Sequence, residues 1–77
     1  MFNYFFHTDN GAIELDAEGT HLSSLSDVRS HAVALIADIL NNGDGTATWA
    51  GTPLRIWVTD KPVGAGWTYF TLSISIS

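Results

Sequence analysis

The strictest pattern in the chain is the alternation of apolar and polar residues over residues 67–76, WTYFTLSISI. Apolar side chains occupy every second position, at Phe70, Leu72, Ile74 and Ile76. Successive side chains of a β-strand point to opposite faces of a sheet, so this period predicts a strand with one buried face. A strand must pair its backbone with neighbours, and any fold for this chain must therefore contain a sheet.

Three further segments carry strand signals. Residues 2–8, FNYFFHT, are rich in aromatic side chains and lead into Asp9-Asn10-Gly11, which is typical of a tight hairpin turn. Residues 12–17, AIELDA, alternate apolar and acidic, and residues 54–60 alternate again before a turn rich in Pro and Gly at residues 61–66. These segments predict one hairpin in each half of the chain.

One segment has the helical period. Apolar residues recur from Leu25 to Ile39 at spacings of three and four, which predicts a helix with one buried stripe. Ser24 and Asp27 have the spacing of a capping box, and Asn41-Asn42-Gly43 predicts the end of the helix. The glycine-rich stretch that follows predicts a loop with a single large anchor, Trp49.

These elements predict an α+β fold, a single domain over residues 1–77 with the order β-β-α-β-β. We expect a four-stranded antiparallel-type sheet with one helix packed on one face, and 77 residues are too few for a second core. Strand order stays open, because either hairpin could supply the central pair. Besides the helical stripe, the predicted core comprises Tyr4, Phe6, Ile13, Leu15, Leu54, Ile56, Val58, Phe70, Leu72 and Ile74.

Two motifs in the first half of the chain carry a resemblance. The chain opens with Tyr4-Phe5-Phe6-His7 and, after Asp9 and Gly11, reaches Asp16-Ala17-Glu18-Gly19. In these residues it resembles a family of small bacterial proteins of unknown function, which open Met-x-x-Tyr-Phe-Phe-(His or Asp) and continue through a hairpin into Asp-x-Glu-Gly. The resemblance covers roughly the first forty residues well and the last strands only in pattern. It implies the same β-β-α-β-β fold and transfers no catalytic residue.

The charge balance restricts the choice of partner. Lys and Arg number 3 and Asp and Glu number 8, a formal net charge of −5 at pH 7, which disfavours direct binding to DNA or RNA. A basic protein surface is the natural complement. No cysteine is present, so disulfides and thiolate metal sites are excluded. The start MFNYFFH lacks a signal-peptide pattern and no apolar run approaches ~20 residues, so we expect a cytoplasmic protein that does not bind membranes.

The sequence lacks the motifs of catalysis. It has no Gly-x-Ser-x-Gly elbow and no His-Glu-x-x-His spacing among His7, His21 and His31. The stretch around Asn42 and Asp44 fails the calcium-loop template, and no Lys-Ser or Lys-Thr follows the glycines as a phosphate loop requires. We therefore predict no catalytic residue, no metal site and no cofactor.

The predicted binding site is the sheet face that points away from the helix. If Ile13 and Leu15 point inward, Glu14 and Asp16 point outward and Glu18 continues the acidic row. The same face is expected to carry His7 and Arg55 and the aromatic side chains Phe5, Trp57, Trp67 and Tyr69. Such a mixture is typical of a protein contact site, although a solvated acidic face and rings packed under the Trp49 loop are the alternatives.

Two functions follow from this face. In the first, the protein is a non-catalytic inhibitor or decoy whose acidic surface blocks a basic, nucleic-acid-binding surface of a partner. In size and acidity the chain is similar to small phage anti-CRISPR proteins, which implies a CRISPR effector subunit as one partner. In the second, the protein is a self-associating bacterial module, a homodimer through the aromatic sheet face, of unknown cellular role. A small hydrolase is a distant third.

Overall fold

The computed structural model describes residues 2–77, apart from the side chain of Asp44, and confirms the α+β fold. The strands are β1 (Phe2–Asp9), β2 (Ile13–Glu14), β3 (Thr20–Leu22), β4 (Leu54–Thr59) and β5 (Thr68–Ile74). The helices are α1 (Leu25–Asn41) and the short α2 (Thr46–Trp49), with 3₁₀ turns at Gly43–Gly45 and Pro62–Gly64. Across the described residues the sheet thus has five strands rather than four, because Thr20–Leu22 also pairs with β1.

The sheet order is β2-β1-β4-β5, and all the pairings are antiparallel. Strand β1 lies at the centre: its first half pairs with β3, its last two residues pair with β2, and its other edge pairs with β4. Each hairpin therefore contributes one central strand. Because β2 and β3 pair with different halves of β1, the residues between them, 15–19, leave the sheet.

Helix α1 begins as the sequence predicts. The Ser24 hydroxyl accepts the Asp27 N–H at 3.2 Å, and the Ser23 hydroxyl donates to the Asp27 carboxylate at 2.8 Å. An acidic group in the first turn also favours the positive end of the helix dipole. Val28, Ala32 and Ile36 form the buried stripe, at a spacing of four residues.

The core between helix and sheet consists of two adjoining clusters. Tyr4, Phe6 and Val58 pack against the first half of the helical stripe, and Leu54 and Ile56 pack against Ile36. The apolar row of β5 is only partly buried against both clusters, as expected for a strand at the edge of the sheet. These residues all belong to the predicted core.

Three predicted core residues are exposed. Leu25, at the start of the helical stripe, is 47% exposed, and on the second strand Ile13 is 62% exposed and Leu15 is 46% exposed. Asp9 pairs with Ile13, so the hairpin loop holds three residues, Asn10–Ala12, where a tight turn would hold two. A shift of one residue moves every side chain to the other face. Ile13 therefore shares the face of Asp9, away from the helix, and the predicted orientation of the second strand is wrong.

Trp49 anchors the glycine-rich stretch through its indole N–H rather than through burial. That N–H donates to the Leu40 carbonyl at 2.9 Å, while the side chain stays 60% exposed. The bond satisfies one of the carbonyls that the last turn of a helix leaves free. Among residues 2–77, no helix is long and apolar enough to cross a membrane.

Candidate protein-binding site

The sheet face away from α1 is covered by two loops, which meet over β1 and β4. The loop of residues 15–19 joins β2 to β3, and the loop of residues 60–67 joins β4 to β5. The Val63 N–H donates to the Asp16 carbonyl at 2.9 Å, which ties the two loops together. We call them the cover loops.

His7, on β1, fastens both cover loops to the sheet. The side chain is fully buried, and its Nδ1 accepts the Asp16 N–H at 3.0 Å. Its Nε2 lies 2.8 Å from the Thr59 hydroxyl and 3.1 Å from the Gly64 N. The Thr59 hydroxyl donates in turn to the Lys61 carbonyl at 2.7 Å. One imidazole thus holds a point on each loop.

The surroundings of His7 fit a neutral ring. With its hydrogen on Nε2, the ring donates to Thr59 while Nδ1 accepts from Asp16. A cationic ring, with a hydrogen on each nitrogen, could not accept the Asp16 N–H. Burial lowers the pKa of His7, and the nearby Asp16 carboxylate opposes that shift only in part.

Asp16 closes the first cover loop with its carboxylate. Oδ2 accepts the Phe6 N–H at 3.1 Å, in place of a strand partner, and Oδ1 accepts the Glu18 and Gly19 N–H groups at 3.0 Å each. Burial acts to raise the pKa of Asp16, but the three N–H groups and the neighbouring His7 together hold this pKa below its ordinary value. The predicted outward acidic row therefore loses this member, because its oxygens are occupied within the chain.

Phe5 is also buried within the fold. It was predicted as an exposed contact residue, but only 6% of it is exposed. Gly19, with φ +78°, lies directly over its ring, and a Cβ at that position would come within 2.8 Å of the Phe5 Cε1 atom. Phe5 and His7 together form a small second core beneath the cover loops.

The structure separates the other predicted aromatic side chains. Trp57 is half-buried beside His7, with ring centroids 5.4 Å apart, and the Arg55 guanidinium lies 4.8 Å from the Trp57 ring. Tyr69 lies at a β-bulge opposite Val58 and Thr59, and its ring contacts Tyr4, whose side chain belongs to the core under α1. Tyr69 is thus not on the predicted face, because the extra residue of the bulge reverses the alternation there.

Several large apolar side chains remain exposed on and beside the cover loops. Trp67 is 71% exposed, Val63 is 54% exposed and Leu15 is 46% exposed. Glu18, on the first cover loop, is exposed as well. We call these four residues the cover patch. Of the seven predicted contact residues, it retains Glu18 and Trp67. Glu14 is exposed but pairs with Thr8, so its side chain points to the helix side of the sheet and not to the predicted face.

The backbone around the cover patch is held firmly. The Trp67 N–H donates to the Asp60 carboxylate at 2.7 Å, and the Asp60 N–H donates back to the Trp67 carbonyl at 3.1 Å. Val63 has φ +53°, a left-handed conformation that β-branched residues rarely adopt, and the bonds to Asp16 and His7 on either side hold it there. Sequence reasoning missed Val63 and Leu15; the Pro62-Val63-Gly64 turn gave no indication that it folds back over β1.

The polar side chains beneath the cover loops have limited access to solutes. His7 and Thr59 are at the distance of a base and a nucleophile, but both side chains are fully buried. In the described part of the chain, no three His, Asp or Glu side chains are grouped to hold a metal ion. A depression of about 310 Å³ lies beside the Asp9–Arg55 ion pair, whose closest atoms are 3.5 Å apart.

The comparisons with known proteins identify a family for the chain. Residues 3–61 match the family model described as Domain of unknown function (DUF6894), and the chain belongs to this family. The matched range spans His7, Asp16, Gly19 and Thr59. No curated protein and no solved structure matches the chain.

Proposed function

We propose that the protein is a non-catalytic binding module that contacts a basic surface of another protein through the cover patch. The observation that carries the proposal is Trp67, the most exposed of the large apolar side chains described, held on a loop whose backbone is bonded to Asp60. A rigid exposed tryptophan loses little entropy on binding, and tryptophan is among the residues that contribute most at protein interfaces.

Charge supports the basic character of the partner. The chain carries a net charge of −5, and Glu18 is exposed on the same cover loop as Leu15. Carboxylates at the rim of an interface accelerate association with a positive surface, and apolar groups at its centre slow dissociation. The cover patch has this composition, with Leu15, Val63 and Trp67 as the apolar part.

The finer form of the proposal is an inhibitor or decoy of the anti-CRISPR type. In that form the acidic surface occupies a nucleic-acid-binding surface of the partner, such as that of a CRISPR effector subunit, in the cytoplasm of the host cell. The charge of the chain and the exposure of the cover patch support it. It is tested by displacement of labelled guide RNA or target DNA from an effector complex at low and at high salt.

The coarser proposal is tested by affinity capture from a lysate of the source cells with the purified protein and three variants. Trp67→Ala removes the aromatic anchor, and Glu18→Lys reverses the charge of the patch. Phe2→Ala is the matched control, because Phe2 is an aromatic side chain with nearly the same exposure, 68%, outside the patch. All three variants are first compared with the wild type by circular dichroism.

We expect a basic protein to be retained by the wild type and by Phe2→Ala. It should be lost with Trp67→Ala and with the charge reversal, and its retention should fall as salt rises. Identical capture by all four proteins would refute the cover patch as the binding surface. A partner that is itself acidic would refute the basic character of the contact.

A further inference from the structure

The outer edge of β5 is open. In the order β2-β1-β4-β5 this strand is last, and over residues 2–77 it pairs with β4 alone. Along that edge the backbone N–H and C=O groups of a seven-residue strand face no other strand. Such an edge is a template for another strand, because unpaired backbone groups recover their hydrogen bonds there.

The sequence of β5 has none of the features that usually protect an edge. Residues 67–77, WTYFTLSISIS, include no charged residue, no proline and no glycine. Natural edge strands are commonly short, charged, interrupted by proline or distorted by a bulge. The bulge in β5 lies at its beginning, opposite Val58 and Thr59, and the pairing from Phe70 to Ile74 is regular.

The apolar row of β5 is incompletely covered. Phe70, Leu72 and Ile74 point to the helix side and contact the core, but all three are only half-buried. A strand placed along the open edge would cover part of what remains exposed. The edge therefore offers both backbone pairing and apolar contact.

We propose that the edge of β5 binds the same edge of a second copy of this chain, as an antiparallel pair about a twofold axis. With the axis at Thr71, Phe70 of each copy lies opposite Leu72 of the other, and the helices lie on the same side of one continuous sheet. The net charge of −5 makes two copies repel, and pairing along the uncharged β5 edge brings the fewest charges close together, so this edge is where a second copy can approach.

The geometry also sets the strength of the association. A strand of this length spans roughly 23 Å, which gives a smaller contact than the ~1,600 Å² of a standard interface. We therefore expect a reversible dimer at micromolar concentration. Its association should strengthen as salt screens the repulsion between the copies, whereas the contact under "Proposed function" should weaken. The two proposals can thus fail independently.

The test is sedimentation equilibrium of the wild type, of Thr71→Lys and of Thr71→Glu, each alone and with the two variants mixed. Thr71 is exposed, and its side chain would lie opposite its own copy at the axis. Two like charges there should weaken the dimer about ten- to a hundred-fold, and the mixture of Lys and Glu copies should restore it. Ser30→Lys, on exposed α1, is the control for the change in net charge.

Recovery in the mixture separates this proposal from simple misfolding, because each variant must be folded to pair. A wild type that stays monomeric at several hundred micromolar protein would overturn the proposal. So would a Thr71→Lys variant that dimerises like the wild type, since its dimer would use another surface.

Discussion

Replacement of His7 by leucine should destabilise the protein through its hydrogen bonds rather than through lost volume. Leucine is apolar and of comparable size, so the second core beneath the cover loops stays filled. The Asp16 N–H loses its acceptor, the His7 Nδ1, while the Thr59 hydroxyl keeps its bond to the Lys61 carbonyl. An unsatisfied buried polar group costs about 1–3 kcal/mol.

The expected loss is about 1–2 kcal/mol, in the lower half of that range because the bond is only partly buried. For a domain of this size, such a loss lowers the melting temperature by roughly 4–16 °C. The measurement is urea unfolding followed by tryptophan fluorescence at pH 7.5. His21→Leu is the matched control, because His21 is exposed, and it should change the free energy of unfolding by less than about 0.5 kcal/mol.

The pH dependence supplies the decisive part of the experiment. Because the pKa of His7 is lowered from 6.5 in the folded state, the unfolded chain binds the proton more readily. Stability is therefore greatest above pH 6.5 and is lost as the pH falls towards the folded pKa, by up to about 1.4 kcal/mol per pH unit. His7→Leu should lose this slope between pH 6.5 and 5, and His21→Leu should keep it. Equal slopes in wild type and His7→Leu would refute a buried neutral His7.

Three further variants test the cover loops. Asp16→Asn should lower the free energy of unfolding by about 1–3 kcal/mol at pH 7 and by less at low pH. The lowered pKa of Asp16 stabilises the fold at pH values above the ordinary pKa of an aspartate, and this stabilisation is lost as the pH falls through the pKa of the folded state. Urea unfolding at pH 7 and 3 measures the effect, with Glu18→Gln as a neutral control. Gly19→Ala should cost at least about 2 kcal/mol, because φ is +78° and the new Cβ meets Phe5; thermal unfolding that matches the wild type would contradict this contact. Val63→Asn should raise stability by about 0.5–1 kcal/mol, since asparagine tolerates φ +53° better; a lower melting temperature would show that the exposed valine makes a contact of its own.

The sequence predicted the regular periods of the helix and strands, but not the turns and bulges that interrupt them. The helical stripe at Val28, Ala32 and Ile36 follows from spacing alone, as does its cap at Ser24. The face of β2 depended on one residue in the loop after Asp9, since a three-residue loop reverses what a two-residue turn would give. In the same way one bulge residue moved Tyr69 to the helix side. Periodicity specifies that faces alternate, but the turns and bulges specify which face is which.

One local signal could have identified the first cover loop. An aspartate followed by glycine three residues later, as in Asp16-Ala17-Glu18-Gly19, is the pattern of a side chain that bonds the backbone ahead of it. The Asp16 carboxylate makes these bonds to Glu18 and Gly19. The motif that carried the family resemblance is therefore a loop closure. The position of the second cover loop depends on contacts between residues 57 apart in the chain, His7 and Gly64, which no local pattern specifies.

Asp16 holds the first cover loop closed and its exposed acidic neighbours do not, and this difference decides which residues can be changed to test binding. Charge reversal at Asp16 would remove a carboxylate that accepts three backbone N–H groups, so lost binding could reflect an open cover loop. Glu18 is exposed, and its backbone N–H, not its carboxylate, bonds Asp16 to close the loop. A surface that contributes to binding without contributing to folding must lie among such residues, and for this reason the acidic part of the proposed contact is assigned to Glu18.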